Sequence, residues 1–113
     1  MACIFCKIVA GEIPANIIFK NENVTAFTDL NPQAPTHILI VPNQHIGSVD
    51  ELVNDEAVNG AAACLRAAQQ IAAQQGLSGG YRLVTNTGPD AGQSVPHLHF
   101  HLLAGRTMTW PPG

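Results

Sequence analysis

The stretch His97-Leu98-His99-Phe100-His101-Leu102-Leu103 alternates imidazole rings with large apolar side chains. Strict alternation over seven residues predicts a β-strand, because successive side chains of a strand point to opposite faces. The apolar side chains are therefore expected to face a core, and the three histidines are expected to share the other, outward face. Histidine titrates near neutral pH and acts as nucleophile, acid, base or metal ligand. The stretch predicts a chemical role for this face in preference to a merely solvated surface.

The rest of the chain supplies two helical segments and four further strands. Each strand is a short apolar run, and the first two form a hairpin around Asn21-Glu22-Asn23. The long helix has Asn54-Asp55 as its N-terminal cap and Gly76 as its stop. The predicted helices are Cys3–Val9, with one turn or two, and Glu56–Gln75; the predicted strands are Ile17–Lys20, Val24–Asp29, Thr36–Val41 and Tyr81–Thr85. This outline predicts a single α+β domain over residues 1–113.

Alanine dominates the apolar stripe of the long helix. Its members are Val58, Ala61, Ala62, Leu65, Ala68 and Ala72, widened by Ala57, Cys64 and Ile71. Small side chains let another backbone approach closely. The stripe is therefore expected either to pack on the sheet or to form a helix–helix contact in a dimer.

Composition excludes several classes of protein. A net charge of −3 leaves no basic surface for DNA or RNA, and no apolar run approaches the ~20 residues needed to span a membrane. The N-terminus lacks the pattern of a signal peptide, and three cysteines fit reduced thiols or a metal better than a disulfide framework. These features predict a cytoplasmic protein. Charged residues make up only 12% of the chain, which indicates that a partner subunit covers part of the surface.

The histidine stretch supports two kinds of chemistry. At ~3.3 Å per residue, His97 and His101 are ~13 Å apart, so one ion cannot bind all three rings. A catalytic zinc would need two of them together with His37 or His45. A nucleophilic His99 fits better, because neighbouring imidazoles disfavour one another's charged forms and keep a lone pair free. The preceding Gly92-Gln93-Ser94 adds backbone N–H groups for phosphate oxygens and a hydroxyl for a leaving group.

The stretch His97–Leu103 resembles the His-φ-His-φ-His-φ-φ motif of the histidine triad (HIT) superfamily. Several flanking segments resemble its histidine triad nucleotide-binding branch. These segments are Ile13-Pro14-Ala15, Pro32-Gln33-Ala34-Pro35-Thr36-His37, Tyr81-Arg82-Leu83-Val84-Thr85-Asn86, Gly92-Gln93-Ser94-Val95, Gly105-Arg106 and Trp110-Pro111-Pro112-Gly113. The resemblance spans nearly the whole chain and implies a five-stranded, mostly antiparallel sheet with one long helix and a short N-terminal helix.

Members of that branch are homodimers that bind purine nucleoside monophosphates. They hydrolyse adenosine 5′-phosphoramidates and acyl or amino adenylates through a covalent nucleotidyl-histidine, and the chemistry requires no cofactor. The resemblance implies the same activity here. Two alternatives stay open, which are hydrolysis of dinucleoside polyphosphates and a zinc-stabilised nucleotide-binding module without catalysis. The Gly92-Gln93-Ser94 loop and the Trp110 tail favour the phosphoramidase branch.

The resemblance also implies roles for individual residues. His99 matches the nucleophile, His101 a phosphate contact, and His97 and His37 residues that orient the nucleophile and relay protons. Ser94 matches the hydroxyl near the leaving nitrogen. The remaining matches are nucleotide contacts: Asn86, Gly92 and Gln93 near the phosphate, Asp29 beside Leu30 at the ribose, and Ile4, Phe5, Ile8 and Phe27 around the base. From the residues alone, Asp29 could equally be a turn residue and the apolar group plain core.

The motif Cys3-Ile4-Phe5-Cys6 resembles bacterial members of the superfamily in which two cysteines bind a structural zinc with two histidines. The matching histidines here are His45 and His97, and Cys₂His₂ is a sound tetrahedral set. The alternative is a pair of free thiols. Pro96 departs from the family pattern, which usually has an aromatic residue there, and this change is expected to affect leaving-group selectivity.

Overall fold

The computed structural model describes residues 3–113, and these form five strands and two α-helices with a single 3₁₀ turn. In chain order the elements are α1 (Ile4–Val9), β1 (Ile17–Lys20), β2 (Val24–Thr28), β3 (Thr36–Pro42), the 3₁₀ turn (Val49–Glu51), α2 (Asp55–Gln74), β4 (Tyr81–Val84) and β5 (Phe100–Ala104). Neither helix within residues 3–113 is both long enough and apolar enough to cross a membrane.

The five strands form one antiparallel sheet in the order β1-β2-β3-β5-β4. This arrangement confirms the predicted α+β fold. Strand β5 lies between β3 and β4, with Leu39 opposite His101 and Ile38 opposite Leu102. The register places the histidine-bearing strand next to the most buried strand of the sheet, β3. Strands β1 and β4 are the two edges.

Helix α2 covers one face of the sheet. Its N-terminal turn is capped by Asn54, whose side-chain oxygen accepts the Ala57 N–H at 2.8 Å, and it ends before Gly76, which has φ +64°. The alanine stripe packs on the sheet, which confirms that alternative; its buried members are Ala57, Ala61, Cys64, Ala67, Ala68, Ile71 and Ala72. Val58, Ala62 and Leu65 were expected in the same buried stripe, but all three are exposed because they lie to one side of it; Val58 and Leu65 are 47% and 49% exposed.

The histidine stretch is a strand only from Phe100 onward, so the predicted strand of His97–Leu103 is too long. The N–H of His97 donates to Val95 and that of Leu98 donates to the Ile46 carbonyl. Because these two donors are engaged by loops, the residues before Phe100 cannot join the β-ladder.

The alternation of faces nevertheless continues through the whole stretch. Leu98 packs with Ala57 and Ala61 of α2, whereas His99 lies against Phe5 of α1. The expectation that the three histidines share an outward face is wrong for His97 and His99. His97 is completely buried and His99 is 5% exposed, because α1 packs over this side of the sheet.

Candidate active site and metal cluster

One ring nitrogen of His99 forms a hydrogen bond to the backbone, and the other has a lone pair. Its Nδ1 lies 2.8 Å from the carbonyl oxygen of His97. A carbonyl only accepts hydrogen bonds, so Nδ1 carries the proton and Nε2 of the neutral ring carries the lone pair. Within residues 3–113, Nε2 has no hydrogen-bond partner and no buried polar side-chain atom lacks one. Nε2 therefore keeps contact with solvent although the residue as a whole is buried.

His37 and His101 form a hydrogen-bonded pair beside this ring. The backbone N–H of Gln33 donates to Nδ1 of His37 at 3.0 Å, so the His37 proton is on Nε2. Nε2 lies 2.9 Å from Nδ1 of His101 and 3.4 Å from a carboxylate oxygen of Asp29. Nδ1 of His101 is consequently the acceptor, and its own proton is on Nε2. The centroids of the His101 and His99 rings are 5.0 Å apart, so the ring that carries the donor neighbours the ring that carries the nucleophilic lone pair.

Both rings of the pair are neutral at pH 7. Burial lowers the pKa of His37, and the Asp29 carboxylate only partly opposes that effect. Burial, together with the neighbouring His99 and His37, lowers the pKa of His101 to about 4. An uncharged pair keeps its hydrogen-bond direction, because no additional proton enters the network near neutral pH.

The second cluster consists of Cys3, Cys6, His45 and His97, whose ligand atoms all lie within 4.8 Å of one another. Nδ1 of His97 is 3.4 Å from Sγ of Cys3, 3.6 Å from Sγ of Cys6 and 3.2 Å from Nδ1 of His45. A tetrahedral zinc with ordinary Zn–S and Zn–N bonds separates its ligands by about 3.3–3.8 Å. The four predicted ligands therefore already have the spacing that one zinc ion requires.

The protonation of His97 also suits a metal ligand. Its Nε2 lies 3.0 Å from the Pro42 carbonyl and must carry the proton, so the lone pair is on Nδ1, inside the cluster. Burial lowers the pKa of His97, which keeps the ring neutral. Burial and the adjacent Cys3 raise the pKa of the Cys6 thiol. A bound cation reverses this effect and stabilises the thiolate.

Asp29, His37 and His101 also bring three ligand atoms within 4.8 Å, but their hydrogen bonds argue against a metal. The Gln33 N–H occupies the lone pair of His37 Nδ1, so Nε2 carries a proton and has no lone pair for an ion. The two clusters thus differ in the group that bonds the far nitrogen of the histidine ring. The Pro42 carbonyl holds the proton of His97 on Nε2 and leaves a lone pair on Nδ1 for a metal. The Gln33 N–H holds the proton of His37 on Nε2, the nitrogen that faces the cluster, and leaves no lone pair there.

The loop that precedes the histidines is held by Gln93. Its Nε2 donates to the carbonyls of Gly47 and Val95 at 2.8 and 3.0 Å, and its Oε1 accepts from Gly88 at 3.0 Å. The backbone N–H groups of Gly92 and Gln93 are used within the loop as well. Both residues were expected to contact phosphate, and in this conformation their polar groups hold the loop.

The other predicted contacts divide into accessible and buried groups. Ser94 is exposed at the end of that loop, and Asn86 is half-buried; neither side chain has a hydrogen-bond partner within residues 3–113. Asp29 follows β2, where one carboxylate oxygen accepts the Asn31 N–H at 2.8 Å and closes a turn. Leu30 beside it is fully exposed.

The apolar group expected around the base is only partly assembled. Phe5, Ile8 and Phe27 are buried together, with the Phe5 and Phe27 rings 5.6 Å apart. Ile4 was expected with them but is 49% exposed; it is the first residue of α1 and lies outside this buried group. The plain-core alternative therefore describes the three buried residues well.

Two groups in the site were not predicted from the sequence. The Gln33 backbone N–H donates a hydrogen bond to Nδ1 of His37, and the Thr85 hydroxyl donates to the His99 carbonyl at 2.8 Å. A main-chain donor leaves no signal in side-chain chemistry. For Gln33 the only sequence hint is its place between Pro32 and Pro35, which restrict the loop.

Known proteins are similar to this chain along nearly its whole length. The model of the HIT domain matches residues 10–108. A 14 kDa zinc-binding protein of Zea mays is 48% identical over 111 residues, covering 97% of this chain and 87% of the maize protein. The adenylylsulfatase HINT1 of Arabidopsis thaliana is 41% identical over 111 residues, covering 97% of this chain and 76% of the plant protein.

The fold is also similar to that of solved HIT family structures. The crystal structure of a HIT family hydrolase from Legionella pneumophila superposes with a TM-score of 0.94 at 51% identity, covering 99% of this chain and all of the other. The histidine alternation, the sheet order and the matched domain point to one conclusion: the chain belongs to the HIT family.

Proposed function

We propose that the chain hydrolyses adenosine 5′-phosphoramidates through a nucleotidyl-histidine on His99. Nε2 of His99 attacks the α-phosphorus, the phosphorus–nitrogen bond breaks, and the amine leaves with a proton. Water then cleaves the new phosphorus–nitrogen bond to His99 and releases AMP. The observation that carries the proposal is the bond from His99 Nδ1–H to the His97 carbonyl, which leaves the lone pair on Nε2.

Neighbouring hydrogen-bond donors can stabilise the negative charge that this reaction develops on the phosphate oxygens and the leaving nitrogen. The Nε2–H of His101 donates to a phosphate oxygen, and the Ser94 hydroxyl donates to the leaving nitrogen. His37 holds the orientation of His101. We assign Asp29 and Leu30 to the ribose side, Asn86, Gly92 and Gln93 to the phosphate loop, and Ile4, Phe5, Ile8 and Phe27 to the base side.

The same phosphorus centre accommodates a second leaving group. The Arabidopsis relative is named an adenylylsulfatase, and sulfate leaves from phosphorus without needing a proton. A phosphoramidate needs the proton because an amide anion is a poor leaving group. We therefore extend the proposal to adenylyl sulfate, for which the Ser94 hydroxyl is expected to be dispensable.

We also propose a structural zinc held by Cys3, Cys6, His45 and His97. The spacing of the four ligand atoms and the lone pair on His97 Nδ1 support it, and the maize relative is named for zinc binding. Bound there, the ion would tie α1 to the sheet and take no part in bond cleavage. Thiolate ligands need a reducing compartment, in keeping with the proposed cytoplasmic location.

A homodimer is part of the same proposal. Strand β4 is a sheet edge, and Val58 and Leu65 form an exposed apolar pair on α2. An edge strand offers unpaired N–H and C=O groups to a second copy of the chain. Exposed apolar side chains on a surface with few charges fit the same partner.

Turnover of adenosine 5′-phosphoramidate by the wild-type protein and by His99→Ala tests the catalytic proposal. We expect the substitution to lower kcat by about a thousandfold or more. Adding imidazole to His99→Gly should restore part of the activity, because the free ring can occupy the vacated space. Mass spectrometry after rapid acid quenching should find a nucleotide adduct on His99.

The possible outcomes separate the competing functions. Turnover in His99→Ala, or an adduct elsewhere, contradicts the proposal. Binding of AMP by wild type without turnover of any adenylate supports the nucleotide-binding module. Faster cleavage of diadenosine polyphosphates than of phosphoramidates supports the other hydrolase branch.

A further inference from the structure

A single backbone amide stands at the start of the hydrogen-bond chain that leads into the site. The N–H of Gln33 lies 3.0 Å from Nδ1 of His37, and the Gln33 side chain itself is exposed. The loop around it is tied at two further points. Nε2 of Gln33 donates to the Asn31 carbonyl at 3.1 Å, and Nε of Arg106 donates to the Gln33 carbonyl at 3.1 Å. The amide is therefore held in place by contacts on both sides of its residue.

An N–H aimed at a ring nitrogen allows only one neutral tautomer. If the His37 proton moved to Nδ1, two N–H groups would face each other and the hydrogen bond would be lost. The lone pair therefore stays on Nδ1 and the proton stays on Nε2. Burial of the ring adds to this constraint, because a second proton would place a charge in a poorly solvated position.

The tautomer of His37 determines that of His101. The Nε2–H of His37 has two acceptors in range, and Nδ1 of His101 at 2.9 Å is closer than the Asp29 carboxylate at 3.4 Å. The acceptor nitrogen cannot carry a proton, so His101 has its proton on Nε2. With the opposite polarity, Nε2 of His101 would carry a lone pair in place of a proton and would repel phosphate oxygens.

We propose that the backbone N–H of Gln33 is a positioning group that sets the polarity of the His37–His101 pair, so that His101 offers a hydrogen-bond donor to a bound phosphate. Its effect on turnover rests on the proposed phosphoramidase function. The tautomers themselves do not depend on that function and are measurable on the resting protein.

Histidine ¹⁵N NMR of the protein as purified tests the proposal directly. Long-range ¹H–¹⁵N correlations at about pH 7.5 distinguish the two neutral tautomers of each ring. In the wild type we expect Nε2–H on both His37 and His101. A ¹⁵N–¹⁵N coupling across the hydrogen bond should link the Gln33 amide to Nδ1 of His37.

The matched variants are Gln33→Pro, which has no N–H, and Gln33→Ala, which keeps it. Gln33→Ala should retain both tautomers. Gln33→Pro should lose the single tautomer at His37 and show a mixture at His101. With adenosine 5′-phosphoramidate, kcat should be at least about tenfold lower for Gln33→Pro than for Gln33→Ala, with KM changed by less than about threefold.

Each result bears on the proposal in a defined way. Nδ1–H on His37 in the wild type, or an unchanged tautomer in folded Gln33→Pro, overturns it. If Gln33→Pro does not fold, the wild-type tautomers and the coupling across the hydrogen bond decide the question alone. Correct tautomers in a protein without turnover would refute the proposed function and leave the positioning role of Gln33 intact.

Discussion

His97 links the metal cluster to His99 through different parts of one residue. Its ring contributes Nδ1 to the metal cluster, and its carbonyl oxygen fixes the proton of His99. Any shift of the ring toward or away from Cys3 and Cys6 therefore acts on the backbone that orients the proposed nucleophile. The sequence spacing of two residues makes this possible, because His97 and His99 then lie on the same side of the chain.

His101 makes the stability of the protein depend on pH. Its pKa is lowered to about 4 in the folded chain from an ordinary value of 6.5. Between these two values the unfolded chain binds more protons than the folded chain, so the free energy of unfolding falls as the pH falls. Above pH 6.5 the contribution is complete, and it is lost as the pH approaches 4. The full shift would correspond to roughly 3 kcal/mol, and because the ring is only half-buried, solvent screening reduces the contribution to a fraction of that value.

Urea denaturation of wild type and His101→Asn between pH 7 and pH 4 measures this contribution. Asparagine keeps a polar side chain but does not titrate in this range. As the pH falls from 7 to 4, the free energy of unfolding should decrease more steeply for the wild type than for the variant. Parallel curves would show that another acid-sensitive group, such as the metal cluster, accounts for the loss.

At the scale of elements, the sequence predicts what depends on local pattern. The cap at Asn54, the stop at Gly76 and the apolar period locate α2 to within a residue at each end. The start of β5 is missed because the partners of the His97 and Leu98 amides are Val95 and Ile46, and such loop pairing has no local pattern. The position of α1 over the histidines is missed for the same reason.

Helix α1 is the element most dependent on the proposed zinc. Six residues are too few for an independently stable helix, and this one is held by burial of Phe5 and Ile8 and by the cysteines at its start. Cys6→Ser should lose the metal, and both the substitution and a strong chelator should lower Tm by roughly 5–10 °C.

Elemental analysis and a thermal melt on the same samples test this dependence. The wild type should carry about one zinc per chain. Cys64→Ala is the matched control, because Cys64 lies on the buried face of α2 and outside the metal cluster. It should keep the zinc. A wild type without zinc and with an unchanged melt after chelation would support two free thiols instead.

At the scale of the whole molecule, the candidate site combines predictable and unpredictable parts. The histidines, the cysteine pair and Asp29 have chemistry that the sequence displays, and the fold gathers all of them except His99 into two clusters. Gln33 acts through its main chain, and the Gln93 side chain is consumed by loop carbonyls and one loop amide. Such roles depend on which backbone groups a side chain meets after folding, so residue type alone cannot assign them.

The exposed apolar side chains of α2 are where we expect a second copy of the chain to bind. Leu65 is half-exposed in the middle of α2. The opposite face of this helix is already packed against the sheet. Leu65→Asp adds a charge to this face without touching the core or the histidines. In a dimer the charge would be buried without a partner, so the variant should be monomeric.

Light scattering coupled to size-exclusion chromatography measures the outcome at micromolar concentration. The wild type should elute as a dimer of about twice the chain mass of 11.9 kDa, and Leu65→Asp should elute at the chain mass. Arg66→Asp, one position along the same helix and exposed, reverses a charge without placing one on the apolar pair. It should stay dimeric if Leu65 is central to the contact. A monomeric wild type, or a dimeric Leu65→Asp, would place any contact between copies elsewhere.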